Sequence, residues 1–329
     1  MNWQRGSKIN PSTLLGLKTR ARLRVDTESG AIFPCPKGQG LSAAECIKFN
    51  EPLKNKTTFK IGGRAKFFCQ PKNIADLRSA VNAAKKHKIP IFILGAGSNV
   101  LISDKGLIAL VIKLGAPYFA GASFDNSSII AGSSLSLAKL LRETEKFGLS
   151  GVEFLAGIPG TVGGALAMNA GAWGRNIGDL VEEAKVMDYN GNIKTLRNNK
   201  IKFKYRNSSL AKYIILSARL KLKKKKRETI RENISQNIRR RRDSQDARYP
   251  NAGCIFKNPK KDSAGRLIDL CGLKGKRVGD AFISDRHANF IMNRGNAKTA
   301  DVLRLMDLVR KKVKNKFRIT LKPEIKIWQ

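Results

Sequence analysis

Residues 156–174 read AGIPGTVGGALAMNAGAWG. Six of these are glycine (Gly157, Gly160, Gly163, Gly164, Gly171 and Gly174), Gly151 lies just upstream, and no residue of the stretch is charged before Gly174. Glycine loses more conformational freedom on folding than any other residue, so such a density needs a cause. Two causes fit. The backbone turns sharply several times between two core elements, or a flat object has to approach the main chain closely. Either way the stretch is a glycine bed with patterned sequence on both sides.

Upstream lies a second glycine turn. Ile91–Leu94 is a continuous apolar run and reads as a buried strand, leading directly into Gly95-Ala96-Gly97-Ser98-Asn99. A glycine-rich turn after a buried strand can aim several backbone N–H groups at a phosphate, and Ser98 and Asn99 add side-chain donors. A plain strand-to-loop turn fits the same residues. The spacing is not the dinucleotide fingerprint GxGxxG, because Leu101 and Ile102 stand where a third glycine is needed.

The 329 residues suffice for two domains, and 42% hydrophobic content supports a real core. No run is long enough to span a bilayer, and no apolar segment follows the basic N-terminus, so neither membrane insertion nor a signal peptide is expected. The five cysteines (Cys35, Cys46, Cys69, Cys254, Cys271) are odd in number and form no CxxC pair. That speaks against a disulfide framework and a zinc site and suits a reducing cytoplasm. With two histidines, His87 and His287, a histidine-rich metal site or a Ser-His-Asp triad lacks material, and no metal is expected. The net charge of +39 attracts polyanions without specificity, and equally a small anionic nucleotide. No zinc-finger, RNA-recognition or zipper signature accompanies it, so no specific nucleic acid is expected.

Order is expected from about Asn50, after a 1–49 extension in which TLLGLKTRARLRV suits a short basic helix. TTFKIGGRAKFFCQ reads as strand, turn and strand about Gly62-Gly63. Asn73 caps a helix with Ile74, Leu77, Ala80, Val81 and Ala84 on one face. LIALVIKLG is a strand, and Ser136 caps a helix burying Leu137, Leu140 and Leu141. VEEAKVMDYNGNIKTL is a hairpin turning at Asn190-Gly191. The basic run to Arg242 carries Ile230, Ile234 and Ile238 every fourth residue and reads as a solvated linker helix. Beyond it, AGCIFKNP, Asp280–Ser284 and HANFIMN read as strands, Gly265–Cys271 as a helix, and TADVLRLMDLVRKKVKNKF as a long amphipathic helix. ITLKPEIKIW reads as a strand interrupted at Pro323-Glu324.

Taken in order, TTFKIGGRAKF, ILGAGSNVLISDKG, GIPGTVGGALAMNAGAWG, KYRNSSL, NAGCIFKNP, GLKGKRVGDAFIS, HANFIMN and LKPEIKIW resemble the MurB family, the UDP-N-acetylenolpyruvoylglucosamine reductases, in their shorter subclass. The resemblance runs from Asn50 to Trp328. It implies an α+β protein with an FAD-binding fold of the vanillyl-alcohol oxidase (PCMH) type, made of two α/β subdomains, followed by a smaller α/β substrate-binding domain. The expected division is 1–49 extension, 50–222 FAD-binding domain, 223–242 basic linker helix and 243–329 substrate-binding domain. FAD contacts are implied at Gly62, Gly63, Leu94, Gly95, Ala96, Gly97, Ser98, Asn99, Gly157, Ile158, Pro159, Gly160, Thr161, Gly163, Gly164 and Asn169. Neither glycine stretch holds a histidine or cysteine to tether flavin, so noncovalent FAD is expected, with NADPH as hydride donor.

The implied chemistry sends hydride to C3 of the enolpyruvyl ether of a UDP-sugar, with protonation at C2. Arg206 holds the substrate carboxylate, Cys254 stands at the proton-donor position that many members fill with serine, and Glu324 bonds or protonates the enol oxygen. Tyr205, Gln245, Lys257, Asn258 and His287 are implied to contact or support the substrate. Two residues depart from the family pattern: Asp246 stands where proline is common, and Phe282 where a glutamine often lies near the substrate carboxylate. A cytoplasmic monomer is expected.

Overall fold

The structure, a computed structural model, describes residues 46–246 and 248–329, together with a short antiparallel pair, Arg24–Val25 with Ile32–Phe33, inside a separate N-terminal unit, Met1–Ala44. The basic helix expected at 13–25 lies outside the described residues except for Arg24–Val25, which are a strand.

In the larger unit, Glu45–Gln329, a first sheet takes β1 (Ile47–Pro52), β2 (Arg64–Cys69), β3 (Ile91–Ile93) and, after the separate short strand β4 (Val100–Ile102), β5 (Leu107–Ile112). Its order is β1-β2-β5-β3, antiparallel at the first pair and parallel at the others. Parallel neighbours need a crossover, and helix α1 (Ile74–Lys86) supplies it. The Asn73 side chain accepts from the Asp76 N–H at 2.9 Å and starts this helix. Leu77, Ala80, Val81 and Ala84 then pack on Cys69, Leu110 and Ile112.

A second sheet, wholly antiparallel, has the order β9-β8-β10-β7-β6 from β6 (Ala122–Asp125), β7 (Ser128–Gly132), β8 (Val181–Met187), β9 (Ile193–Arg197) and β10 (Ile214–Lys221). The β8–β9 turn is held by the Asp188 carboxylate, which accepts from the N–H groups of Asn190 and Asn192, with Gly191 at φ +82°. One core joins this sheet to α2 (Leu137–Lys146) and α3 (Val162–Met168).

Next comes α4 (Arg227–Ser244), where the isoleucine stripe runs from buried Ile230 to exposed Ile238. Arg231 pairs with Glu145, and Asn237 donates to the Glu153 carbonyl, so the helix lies against α2 and the entry to the glycine stretch. The third sheet, β11-β14-β13-β12, comprises β11 (Asn251–Cys254), β12 (Arg277–Val278), β13 (Ala281–Ile283) and β14 (Phe290–Asn293). With α5 (Ala264–Leu270) and α6 (Thr299–Phe317) it shares a core lined by Leu267, Val302, Leu305, Met306 and Val309. Finally β15 (Lys326–Trp328) runs parallel to β4, with Lys326 opposite Val100. The chain end therefore returns to the first glycine turn.

Three expectations need correction. Thr57–Ile61 is not a strand: Phe59 and Ile61 leave the first sheet to enter the core of the third, and the Thr58 N–H donates to the Gly97 carbonyl. The strand paired with β2 lies earlier, at Ile47–Pro52, so order begins inside the expected extension. The terminal strand is confined to Lys326–Trp328, because the backbone before it is tied to Ile255 and Phe256 rather than to a sheet of its own.

Candidate active site

The two glycine turns meet along a cleft of about 530 Å³. One wall is 93–100 and another is 157–161; Arg206, Arg241, Gln245, Asn251–Cys254, Glu324 and Lys326 close it. The turns are tied together: Ser98 Oγ donates to the Pro159 carbonyl at 2.7 Å. The first is tied to the chain end, with Asn99 Nδ2 donating to the Glu324 carbonyl and the Lys326 N–H donating to the Asn99 carbonyl.

Glycine is forced at two points. Gly97 has φ +70°, and a Cβ there would stand 2.3 Å from the Lys56 carbonyl oxygen. Gly157 has φ +75°, and a Cβ would meet Arg241 Cδ at 2.8 Å. The second stretch then does something its composition hides. Thr161 Oγ1 accepts from the Gly164 N–H, VGGALAM forms α3, and Asn169 ends it in the left-handed conformation at φ +44°.

Three side chains from distant parts of the chain converge at the cleft. Arg206 sits at φ +52°, a conformation costly for a side chain of its size and common at functional sites. Its Nε lies 2.8 Å from Glu324 Oε1 without the alignment of a good hydrogen bond. Burial raises the Glu324 carboxyl above the usual carboxylate range, with Arg206 and Lys257 pulling the other way. Burial, followed by the nearby Glu324 charge, pushes the Cys254 thiol up to about 12. Cys254 is therefore a protonated thiol at neutral pH, which suits an acid and excludes a ready nucleophile.

The remaining expected residues fall into two groups. Leu94, Gly95, Ala96, Gly97, Ser98, Asn99, Gly157, Ile158, Pro159, Gly160, Thr161, Gly164 and Gln245 line the cleft. The others do not. Gly62 and Gly63 back onto Ile102 and Asp104, and Gly163 onto Ser133. Asn169 spends its amide on the Gly178 N–H and the Lys204 carbonyl. Tyr205 is exposed beneath the Arg206 guanidinium. Lys257 Nζ donates to the Arg206 carbonyl, and Asn258 accepts from the Ala264 N–H at the start of α5. His287 packs on Phe290, and burial lowers its pKa.

Asp246, the departure from proline, is buried. It accepts from Arg248 Nη2 at 2.8 Å and from Ser284 Oγ at 2.8 Å, so its carboxyl is held well below the usual range. Phe282 packs edge-on against Tyr249.

Sequence reading missed Arg241. Its Nε donates to the Ala156 carbonyl at 3.0 Å, its guanidinium lies over the Trp173 ring, and its Nη2 is buried without a partner. It lies in a run of four arginines, and nothing local marks the third of them as the inward one. A buried unpaired donor costs roughly 1–3 kcal/mol, which an oxygen of a bound ligand would recover. Main chain bared by glycine, three cations (Arg206, Arg241, Lys326) and one unsatisfied guanidinium nitrogen in a cleft of this size fit a large anionic cofactor such as FAD. Among the described residues no helix is long and apolar enough to cross a membrane.

Comparison with known proteins agrees. A family model described as an FAD binding domain matches residues 65–197, and one described as the C-terminal domain of UDP-N-acetylenolpyruvoylglucosamine reductase matches 245–328. UDP-N-acetylenolpyruvoylglucosamine reductase 2 of Symbiobacterium thermophilum is 42% identical over 86% of this chain and 92% of its own. The reductase of Bacillus pumilus is 41% identical over 84% and 92%. The crystal structure of the Thermus caldophilus enzyme superposes with a TM-score of 0.73 at 36% identity, covering 86% of this chain and 98% of that one. With its glycine-walled cleft and its FAD-binding α+β fold, the chain belongs to the UDP-N-acetylenolpyruvoylglucosamine reductase family.

Proposed function

We propose that this chain carries out the NADPH-dependent, FAD-mediated reduction of UDP-N-acetylglucosamine enolpyruvate to UDP-N-acetylmuramate, a cytoplasmic step of peptidoglycan synthesis. The observation that carries this reading is the meeting of Arg206, Cys254 and Glu324 in the same cleft as both glycine turns. In this reading 50–222 holds the cofactor, 223–242 links, and 243–329 brings Cys254, Glu324 and the substrate contacts. Every group needed comes from one chain, which supports a working monomer.

When bound, FAD supplies a two-electron carrier that takes hydride from NADPH and passes it to C3 of the enolpyruvyl group. The residues of the chain do the rest. Gly95–Asn99 and Gly157–Thr161 would hold the cofactor along bare main chain, and Arg241 Nη2 would find an acceptor on it. Arg206 offers its terminal amino groups to the substrate carboxylate as a bidentate fork and stabilises the charge that builds on it. Cys254 Sγ–H gives its proton to C2. Glu324, made a better proton holder by burial, bonds the enol oxygen. Lys326, on the cleft wall, adds positive charge toward the diphosphate.

The test is anaerobic mixing of the photoreduced, FAD-loaded chain with the enolpyruvyl UDP-sugar. Flavin absorbance returns within the mixing experiment if the reading holds, and an absorbance that stays bleached overturns it. Heat denaturation and filtration should release the yellow chromophore, since the cofactor is held without a covalent bond.

A further inference from the structure

Outside the cleft, two cysteines meet. Cys46 immediately precedes β1 and Cys69 closes β2; in the antiparallel register Ile47 stands opposite Cys69. The two residues are 23 positions apart, and their sulfur atoms lie 2.8 Å from one another. A disulfide bond is about 2.05 Å long, so the pair needs a movement of less than roughly 1 Å to close it. Cys69 is fully buried among Leu77, Val81 and Ile112, whereas Cys46 is half-exposed at the sheet edge. The roles are thus unequal: the outer sulfur is partly open to a small oxidant, and the inner one, among the described residues, faces the outer. The Cys69 thiol stabilises the Cys46 thiolate by hydrogen bonding, which favours attack by Cys46.

We propose that Cys46 and Cys69 form a reversible disulfide, with hydrogen peroxide as the oxidant. The Cys46 thiolate attacks one peroxide oxygen, the O–O bond breaks, and hydroxide leaves with a sulfenic acid formed on Cys46. The Cys69 sulfur then attacks the sulfenic sulfur, its proton goes to the departing hydroxyl, and water leaves. In sum, two thiols and one peroxide give one disulfide and two waters. A dithiol reductant reverses the change by exchange.

The bond would staple the edge strand β1 to β2. It would close the loop that includes Thr57–Gly63, whose Thr58 N–H supports the Gly97 carbonyl beneath the first glycine turn. Cross-linking across a loop of this length raises the melting temperature by on the order of 5–10 °C.

The experiment uses the full-length, FAD-loaded protein treated with one equivalent of peroxide, quenched with an alkylating agent and digested without reduction. Mass spectrometry should show a peptide pair linking Cys46 to Cys69, the titratable thiols should fall by two per chain, and the melting temperature should rise and return with dithiothreitol. Cys46→Ser should leave Cys69 unmodified and abolish the thermal shift, while Cys271→Ser should keep both the link and the shift. A link from either residue to Cys35 or Cys271, accumulation of sulfinic acid on Cys46, or consumption of peroxide with both thiols intact would overturn the proposal.

Discussion

Replacing Cys254 by alanine would remove the proposed proton donor with little loss of packing, because the side chain is small and half-buried. Burial and the Glu324 charge raise the thiol from 9.0 to about 12. At pH 8 the thiolate fraction is then about 10⁻⁴ rather than about 10⁻¹, so the acid is loaded throughout the working range. Loss of a general acid typically slows a reaction by about 10²- to 10⁴-fold. That corresponds to roughly 3–5 kcal/mol in the barrier. Stopped-flow absorbance separates the halves of the reaction. In Cys254→Ala, bleaching by NADPH should keep its wild-type rate, and the return of colour on adding the enolpyruvyl UDP-sugar should slow by that factor. Cys254→Ser keeps a proton on a smaller atom and should recover most of the rate. The same shift predicts that iodoacetamide alkylates Cys254 at pH 8 about 10³-fold more slowly than an ordinary thiol. If Cys254→Ala restores colour at the wild-type rate, the proton-donor role is refuted; if Cys254 alkylates as fast as an ordinary thiol, burial does not hold the proton on sulfur.

Arg206→Lys keeps the charge and loses the planar fork, so kcat should fall about 10²- to 10³-fold with a raised KM, while NADPH bleaching is unchanged. Gly97→Ala combines a left-handed conformation, worth about 1–2 kcal/mol, with overlap on the Lys56 carbonyl. It should lower the melting temperature by several degrees and weaken flavin retention, both read by thermal melts and gel filtration. Asp246→Asn loses a buried ion pair. Because Arg248 is 55% exposed, the expected cost is held to about 1–3 kcal/mol rather than the full buried-pair value. The depressed Asp246 carboxyl also sets a direction with pH. Its contribution is complete above the unfolded value of about 3.9 and is lost as pH falls toward the folded one. Wild-type and Asp246→Asn melting temperatures should therefore converge in strong acid.

Much of the fold was legible locally. Asn73 and Ser136 cap helices where the apolar period begins, and Asn190-Gly191 turns the hairpin it was expected to turn. These features depend on contacts a few residues long. The failures share the opposite property. Thr57–Ile61 has the alternation of a strand, yet Phe59 and Ile61 are claimed by a core built, apart from Leu101, from residues beyond 250. VGGALAM has poor helix propensity, yet α3 forms because Val162, Ala165 and Leu166 are buried in the core of the second sheet. Asp246, noted as a departure from proline, is held both by Arg248, two residues on, and by Ser284, 38 residues away.

By itself the sequence determined the class of protein: an ordered motif set resembles one family, and that resemblance turned two glycine stretches, each open to a plain-turn reading, into the expected bed of a flat, phosphate-bearing cofactor. It also singled out Arg206, Cys254 and Glu324. What only the tertiary structure decided is which groups face the cleft. Gly62, Gly163 and Asn169 spend themselves on neighbouring chain, and Arg241 is turned inward by the fit of its helix against Gly157. Turns and periods are written in residues that touch along the chain, whereas the direction a long side chain takes is settled by the packing of segments that meet only when the cores close.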